Sequence, residues 1–250
     1  MLEIQVGGLE LFGAPLPSAQ GEAILVKPDG LQGWRGLPAG RREALARAVE
    51  HGEHDVPVYL PSRVVTIDGW VLAESEDRLE HLSDALAGLG ATGDRMRFQV
   101  TSRGETRWAD GRRVSGEVQD SPGGFLEAEY QLQFVFADPR KYGGENVYPK
   151  TGTAVSISAA HYGNFPAFPV VEIPSAPAGY TVTSSGQTFV VAGATAGGTH
   201  TVDMRRGRVY RNGVEMPGVG RGDLWTVPPG RGVLFTLSVP GRVKALDTFI

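Results

Sequence analysis

The chain has 250 residues and no cysteine, which excludes a disulfide framework and a thiolate metal site and leads us to expect folding in a reducing cytoplasm. Its hydrophobic content of 41% is that of an ordinary globular protein, and no apolar stretch reaches the length needed to cross a bilayer. Residues 1–150 hold 16 Lys and Arg against 23 Asp and Glu, a balance of −7, and residues 151–250 hold 8 against 5, or +3; the asymmetry supports two domains, neither basic enough to take nucleic acid as its main partner.

The first residues, Met1-Leu2-Glu3-Ile4-Gln5-Val6, contain no basic stretch followed by an apolar run, so no secretory signal is expected. Residues 2–6 alternate apolar and polar and predict a strand. Residues 9–12 and 23–26 predict two more, separated by Pro- and Gly-containing turns. Over 38–51, Leu45, Ala48 and Val49 fall at helical spacing behind Pro38, which predicts a helix. Residues 56–60 and 64–71 predict strands, the second with Val65, Ile67 and Gly69 on one face. Residues 75–89 predict the strongest helix: Ser75 caps it, Glu76, Asp77 and Glu80 suit the positive end of its dipole, and Leu79, Leu82, Leu86 and Leu89 form one stripe.

Period two returns with Met96, Phe98 and Val100, and again over 113–118. Residues 126–136 set Leu126, Ala128, Tyr130, Leu132, Phe134 and Phe136 against Glu127, Glu129, Gln131 and Gln133, the signature of a strand with one buried face. Asp138-Pro139 ends it, because Pro lacks a donor and restricts the residue before it. Residues 140–150 are polar, hold Gly143-Gly144 and predict a linker, which divides the chain into a first domain over 1–145 and a second over 146–250. Beyond it, residues 154–157, 168–173, 180–183, 188–191, 199–204, 208–211, 224–227 and 232–239 predict about eight short strands, a density that suits an antiparallel sandwich or jelly roll. Asn212-Gly213 is the strongest hairpin turn in the chain.

Chemistry is sparse. The sequence has no phosphate loop, dinucleotide fingerprint or Gly-x-Ser-x-Gly elbow. Of five histidines (His51, His54, His81, His161 and His200), His51 and His54 lie close together but bring no obvious third metal ligand, so a solvated turn accounts for them. Glu127 and Glu129 share the polar face of one strand. Glu172 stands alone in a strongly apolar half; an exposed strand residue is the simpler reading, and a glycoside hydrolase using Glu172 or another carboxylate is the rival one. Trp225 and Tyr210 could form a carbohydrate platform, although aromatic strand residues are more often core. Arg205, Arg206, Arg208 and Arg211 cluster beside the hairpin, either to meet an acidic partner or to discourage strand pairing. No motif carries a catalytic, metal or cofactor assignment.

An ordered set of segments resembles the distal tail proteins of siphophages. Phe134-Val135-Phe136-Ala137-Asp138-Pro139-Arg140-Lys141-Tyr142 resembles the aromatic strand and Ala-Asp-Pro-x-x-Tyr corner that end their N-terminal domain, which marks Asp138, Pro139 and Tyr142. Gly163-Asn164-Phe165-Pro166-Ala167-Phe168-Pro169 resembles the entry to their second domain. Val202-Asp203-Met204, Arg208 to Gly213, Trp225 and Pro228-Pro229-Gly230 follow in order and approximate spacing. Upstream, Arg63 to Gly69 and the leucine-striped helix also match.

The resemblance covers nearly the whole chain. It implies a mainly β protein: a β-barrel-like N-terminal domain with one or two helices, then a galectin-like antiparallel β-sandwich. It implies a non-enzymatic virion protein without cofactors, made in the host cytoplasm and placed at the distal end of the tail. There a homo-hexameric ring would join the tail tube protein to the tail-tip hub or other minor tail proteins. The alternative is a carbohydrate-binding sandwich with an adhesion role toward host-surface glycans.

Overall fold

The computed structural model describes residues 1–14, 21–120 and 126–250; most of the Pro-containing connection between Phe12 and Ala23 lies outside them. The chain forms two compact units, Met1–Lys141 with Ile250, and Tyr142–Phe249.

The first unit is a closed barrel of seven strands. Strands β1 (Leu2–Val6), β2 (Leu9–Gly13), β3 (Ala23–Gln32), β4 (Arg63–Leu72), β5 (Met96–Ser102), β6 (Glu105–Asp120) and β7 (Glu127–Phe136) build it. Around the wall the order is β1, β5, β6, β7, β4, β3, β2 and back to β1. Every pair is antiparallel except β2–β3, where Phe12 faces Leu25 and Gly13 faces Val26 in parallel register. Closure removes the free edges that an open sheet would expose.

The alternation along β7 is realised. Ala128, Tyr130, Leu132, Phe134 and Phe136 are buried, and the glutamates and glutamines between them face outward. Phe98, Phe134, Phe136 and Trp34 pack with ring centroids 5.2–6.2 Å apart, in tilted and edge arrangements that favour aromatic contacts. In β4, Gly69 leaves room for a ring. A Cβ there would lie 2.0 Å from the Leu25 carbonyl oxygen and 2.3 Å from Cζ of Tyr130, whose hydroxyl donates to that same carbonyl at 3.0 Å. Gly69→Ala is therefore expected to cost about 3 kcal/mol, the upper end for overpacking a filled core. Urea unfolding measures it.

One helix, α1 (Glu76–Gly88), packs against β4, β6 and β7. Ser75 caps it by accepting from Arg78 N–H, and Leu79 and Leu86 are buried. Its C-terminus has no basic residue in the last turn. Arg113 of β6 supplies the cation instead, donating through Nη1 to the carbonyls of Leu86, Ala87 and Leu89 at 2.7–2.9 Å, where the helix dipole is negative.

The predicted helix over 38–51 does not form. The segment is extended, with single bridges Arg41↔Tyr59 and Ala46↔Glu53 folding it back on residues 53–59. Leu45 and Val49 are exposed, so the helical spacing has no core to face. The strand predicted over 56–60 reduces to the bridge at Tyr59.

The second unit is a two-sheet sandwich. It comprises β8 (Lys141–Tyr148, whose first residue belongs to the first unit), β9 (Ala154–Ala159), β10 (Val170–Ile173), β11 (Tyr180–Ser184), β12 (Gln187–Val191), β13 (His200–Asp203), β14 (Arg208–Arg211), β15 (Val214–Glu215), β16 (Gly220–Gly222) and β17 (Val233–Phe249). One sheet runs β15, β14, β13, β10, β17, β8. The other runs β16, β12, β11, β17, β9. Strand β17 serves both: residues 235–237 pair with β11, residues 242–244 pair with β10, and the register shifts between Thr236 and Gly241. The stretch predicted as a linker over 140–150 is mostly strand β8. Residues 224–227 form no strand, only a bridge from Val227 to Ala167. The β14–β15 hairpin turns on Asn212 (φ 48°) and Gly213 (φ 84°), the two positive φ values a type I′ turn requires.

Candidate functional site

The corner that ends β7 is built from side chains. Asp138 accepts from Arg140 Nε at 2.8 Å and from its backbone N–H at 3.3 Å, which closes the turn. The Pro139 carbonyl accepts from Arg63 Nε at 2.9 Å. The Tyr142 hydroxyl meets Nη1 of Arg205 at 3.2 Å.

Arg63 opens β4 and is only 1% exposed. Its Nη1 donates to the carbonyls of Gly33 (2.6 Å), Trp34 (3.2 Å) and Gly36 (2.6 Å). Lys141, 2% exposed, donates to the same Trp34 carbonyl at 2.8 Å and lies 5.6 Å from the Trp34 ring centroid. Burial, then the charges of Arg63, Arg107 and Arg35, pull its ammonium down to about 7. Backbone oxygens thus hold two buried cations. Sequence reasoning missed this pair, because a cation satisfied by carbonyls leaves no acidic partner to read.

The segment those cations pin is the root of an arm. From 37 to 59 the chain runs out and back, held by Arg41 N–H to Tyr59 carbonyl (2.7 Å), the reciprocal bond (3.0 Å) and His54 N–H to Leu45 carbonyl (2.9 Å). Arg42 pairs with Glu53 and Asp55, and Arg47 with Glu50. Its apolar side chains are open to solvent: Leu37, Leu45, Val49, Val58 and Tyr59 are 58–94% exposed. These five side chains gather exposed apolar surface on one segment.

The basic cluster of the second unit is dispersed and partly neutralised. Arg208 pairs with Glu215, Arg206 approaches Asp203 at 4.0 Å, and Arg211 donates to the Gly197 carbonyl at 2.8 Å. Arg206, Arg208, Tyr210 and Glu215 line an open depression. Trp225 is not at a surface: it is buried, packs against Phe235 at 6.1 Å and belongs to the sandwich core. It offers no sugar platform, and only Tyr210 of that pair stays half-exposed.

Glu172 forms an ion pair with Lys244 at 3.2 Å. Glu129 pairs with Lys27 at 2.8 Å, which holds its carboxyl below the usual range. His161 is buried; its Nδ1 accepts from Gly163 N–H and its Nε2 donates to the Val227 carbonyl, a neutral structural imidazole. His51 and His54 are exposed. Among the described residues no three His, Asp or Glu side chains gather as a metal site, and no helix is long and apolar enough to cross a membrane.

No protein-family model matches the sequence, and no curated protein matches it. Among solved structures, the chain is similar over 100% of both lengths to the Dit protein of phage SPP1, with a TM-score of 0.75 and 17% identity. That protein is described as a paradigm of the hub adsorption apparatus in phages infecting Gram-positive bacteria. The chain is also similar to a component of the phage P2 baseplate in its activated conformation, in a calcium form (TM-score 0.53, 9% identity, 99% and 98% coverage) and a strontium form (TM-score 0.53, 8% identity, the same coverage). The chain shares its fold with these phage hub and baseplate proteins.

Proposed function

We propose that the chain is a structural protein at the distal end of a long-tailed phage tail, where it closes into a hexameric ring joining the tail tube to the tail-tip hub. The likeness to the Dit protein over the full length of both chains supports this, as does the ordered set of corner and turn motifs. The observation that carries the ring itself is the arm. Five exposed apolar side chains on one extended segment, each worth about 1.5–3 kcal/mol when buried, offer more than enough to offset the ordering of one loop. A head-to-tail contact repeated around a closed ring gives every arm a neighbour to lie on. Glu172 and Glu129 are each held by a lysine, so the role is read as structural rather than catalytic.

The test is the oligomeric state. Size-exclusion chromatography with light scattering should give the mass of six copies at high protein concentration, and electron microscopy should show rings. Leu45→Asp together with Val49→Asp places two charges on the contact while leaving the barrel core untouched. We expect that variant to elute as monomer with an unchanged melting temperature. A wild-type protein that stays monomeric at every concentration, or a variant that still forms rings, would count against the arm as the ring contact.

A further inference from the structure

The sandwich carries a polar cluster apart from the arm. On β8 and β17, Asn146 Nδ2 donates to Oδ1 of Asp247 at 2.8 Å, and the backbone N–H of Tyr162 donates to the same oxygen at 2.7 Å. Oδ1 is therefore saturated. Oδ2 faces the space beside Gly144, where an added Cβ would sit 3.7 Å away.

Two tyrosines flank this carboxylate: Tyr162, whose backbone it holds, and Tyr148, two residues beyond Asn146 on the same face of β8. Tyr148 is half-buried against the sandwich core, and burial, then Tyr162, then Asp247, raises its phenol above the usual range. Tyr162 is 74% exposed although its backbone is fixed by Asp247. Lys150 completes the rim, with Nζ 5.1 Å from the Tyr148 ring centroid.

We propose that Asp247, Asn146, Tyr148, Tyr162 and Lys150 form a shallow binding site for a saccharide. A sugar ring presents an apolar C–H face and a belt of hydroxyls that both donate and accept. The exposed Tyr162 ring matches the first, and the carboxylate Oδ2 and the Lys150 ammonium match the second. A cationic ligand would suit the tyrosines and Asp247 but is repelled by Lys150. An apolar protein surface would bury Asp247 Oδ2 without a donor, at a cost of several kcal/mol. A neutral polyhydroxyl ligand satisfies every group. Because Tyr162 and Asp247 are already oriented, little ordering is paid on binding. The proposal stands independently of the ring.

Saturation-transfer NMR on the full chain tests it, with the methyl glycosides of glucose, galactose, rhamnose and N-acetylglucosamine at millimolar concentration as probes. At least one should receive transfer from the protein. Tyr162→Ala removes the stacking face, and Asp247→Asn keeps the Oδ1 acceptor but replaces Oδ2 by a donor. Each should weaken binding at least tenfold with no change in melting temperature or elution volume. Three results overturn the proposal: no transfer to any of the four glycosides, binding that survives both variants, or a Tyr162→Ala protein that changes oligomeric state instead of sugar binding.

Discussion

Replacing Arg63 by alanine is expected to destabilise the barrel by about 3 kcal/mol, since each buried carbonyl left without its donor costs about 1–3 kcal/mol. The guanidinium makes four bonds to carbonyls, those of Gly33, Trp34, Gly36 and Pro139. A hydrogen bond to a charged group contributes about 1.5–3 kcal/mol. The sum is reduced by the desolvation of the guanidinium, which burial also expresses by lowering its pKa. It is reduced again by the relief of repulsion with Lys141. What remains is unfavourable for the variant, because the carbonyls of Gly33, Gly36 and Pro139 lose this donor, while that of Trp34 keeps Lys141. Arg63→Lys should rescue little: a single ammonium cannot span carbonyls that the planar fork reaches from Nε and Nη1 on different sides. Urea unfolding gives the free energy. Hydrogen exchange gives the local effect, since releasing the root should speed exchange at the Arg41 and Tyr59 amides, which are bonded only across the arm. A loss below about 1 kcal/mol, the net worth of one ordinary hydrogen bond, would show that solvent replaces the guanidinium at little cost.

How far the sequence revealed the molecule depended on whether a residue's partner could be read beside it. Strand β7 was legible because its buried and exposed residues alternate without interruption, and α1 because Ser75 and the leucine stripe are local signals. The arm was misread for the same reason in reverse. Pro38 and the spacing of Leu45, Ala48 and Val49 satisfy the local rule for a helix, but among the described residues nothing buries Leu45 or Val49. Helical spacing without a core to face does not hold a helix. Strand β8 looked like a linker because Gly143 and Gly144 interrupt it, although Gly143 is where the Phe249 ring and Asp247 approach the backbone. The second half of β17 was hidden by Pro240-Gly241, the point at which the strand passes from one sheet to the other. Of the candidate surface residues, the arginines were visible by clustering, but Trp225 was placed by its neighbours, and those neighbours make it core. Tyr162 and Asp247 lie 85 positions apart, beyond any motif.

Lys141 is expected to shape the pH dependence of stability between neutral and alkaline pH. In the unfolded chain its ammonium titrates near 10.4 by the usual lysine value, whereas in the folded barrel it is pulled down to about 7. Between these two values the unfolded state holds the proton that the folded state has released. Stability therefore rises with pH across that window, by up to about 1.4 kcal/mol per pH step for a single fully linked group. Below the folded value the penalty of a buried ammonium beside Arg63 is carried in full. The gain is cut off at the alkaline end by buried tyrosines. Burial raises the phenols of Tyr130 in the barrel and Tyr180 in the sandwich above their usual range, so above about pH 10 the unfolded chain loses protons that the folded chain keeps, and stability falls. The expected profile climbs from neutral pH to a maximum between about 9 and 10 and then declines. Lys141→Met, similar in length and without the charge, should flatten the climb while leaving the alkaline decline in place, and should be more stable than wild type at pH 7. Urea midpoints measured from pH 6 to 11 on both proteins decide it. A wild-type profile already flat between pH 7 and 9 would mean that Lys141 keeps its proton, and that the carbonyl of Trp34 and its ring stabilise the ammonium more than burial and its basic neighbours disfavour it.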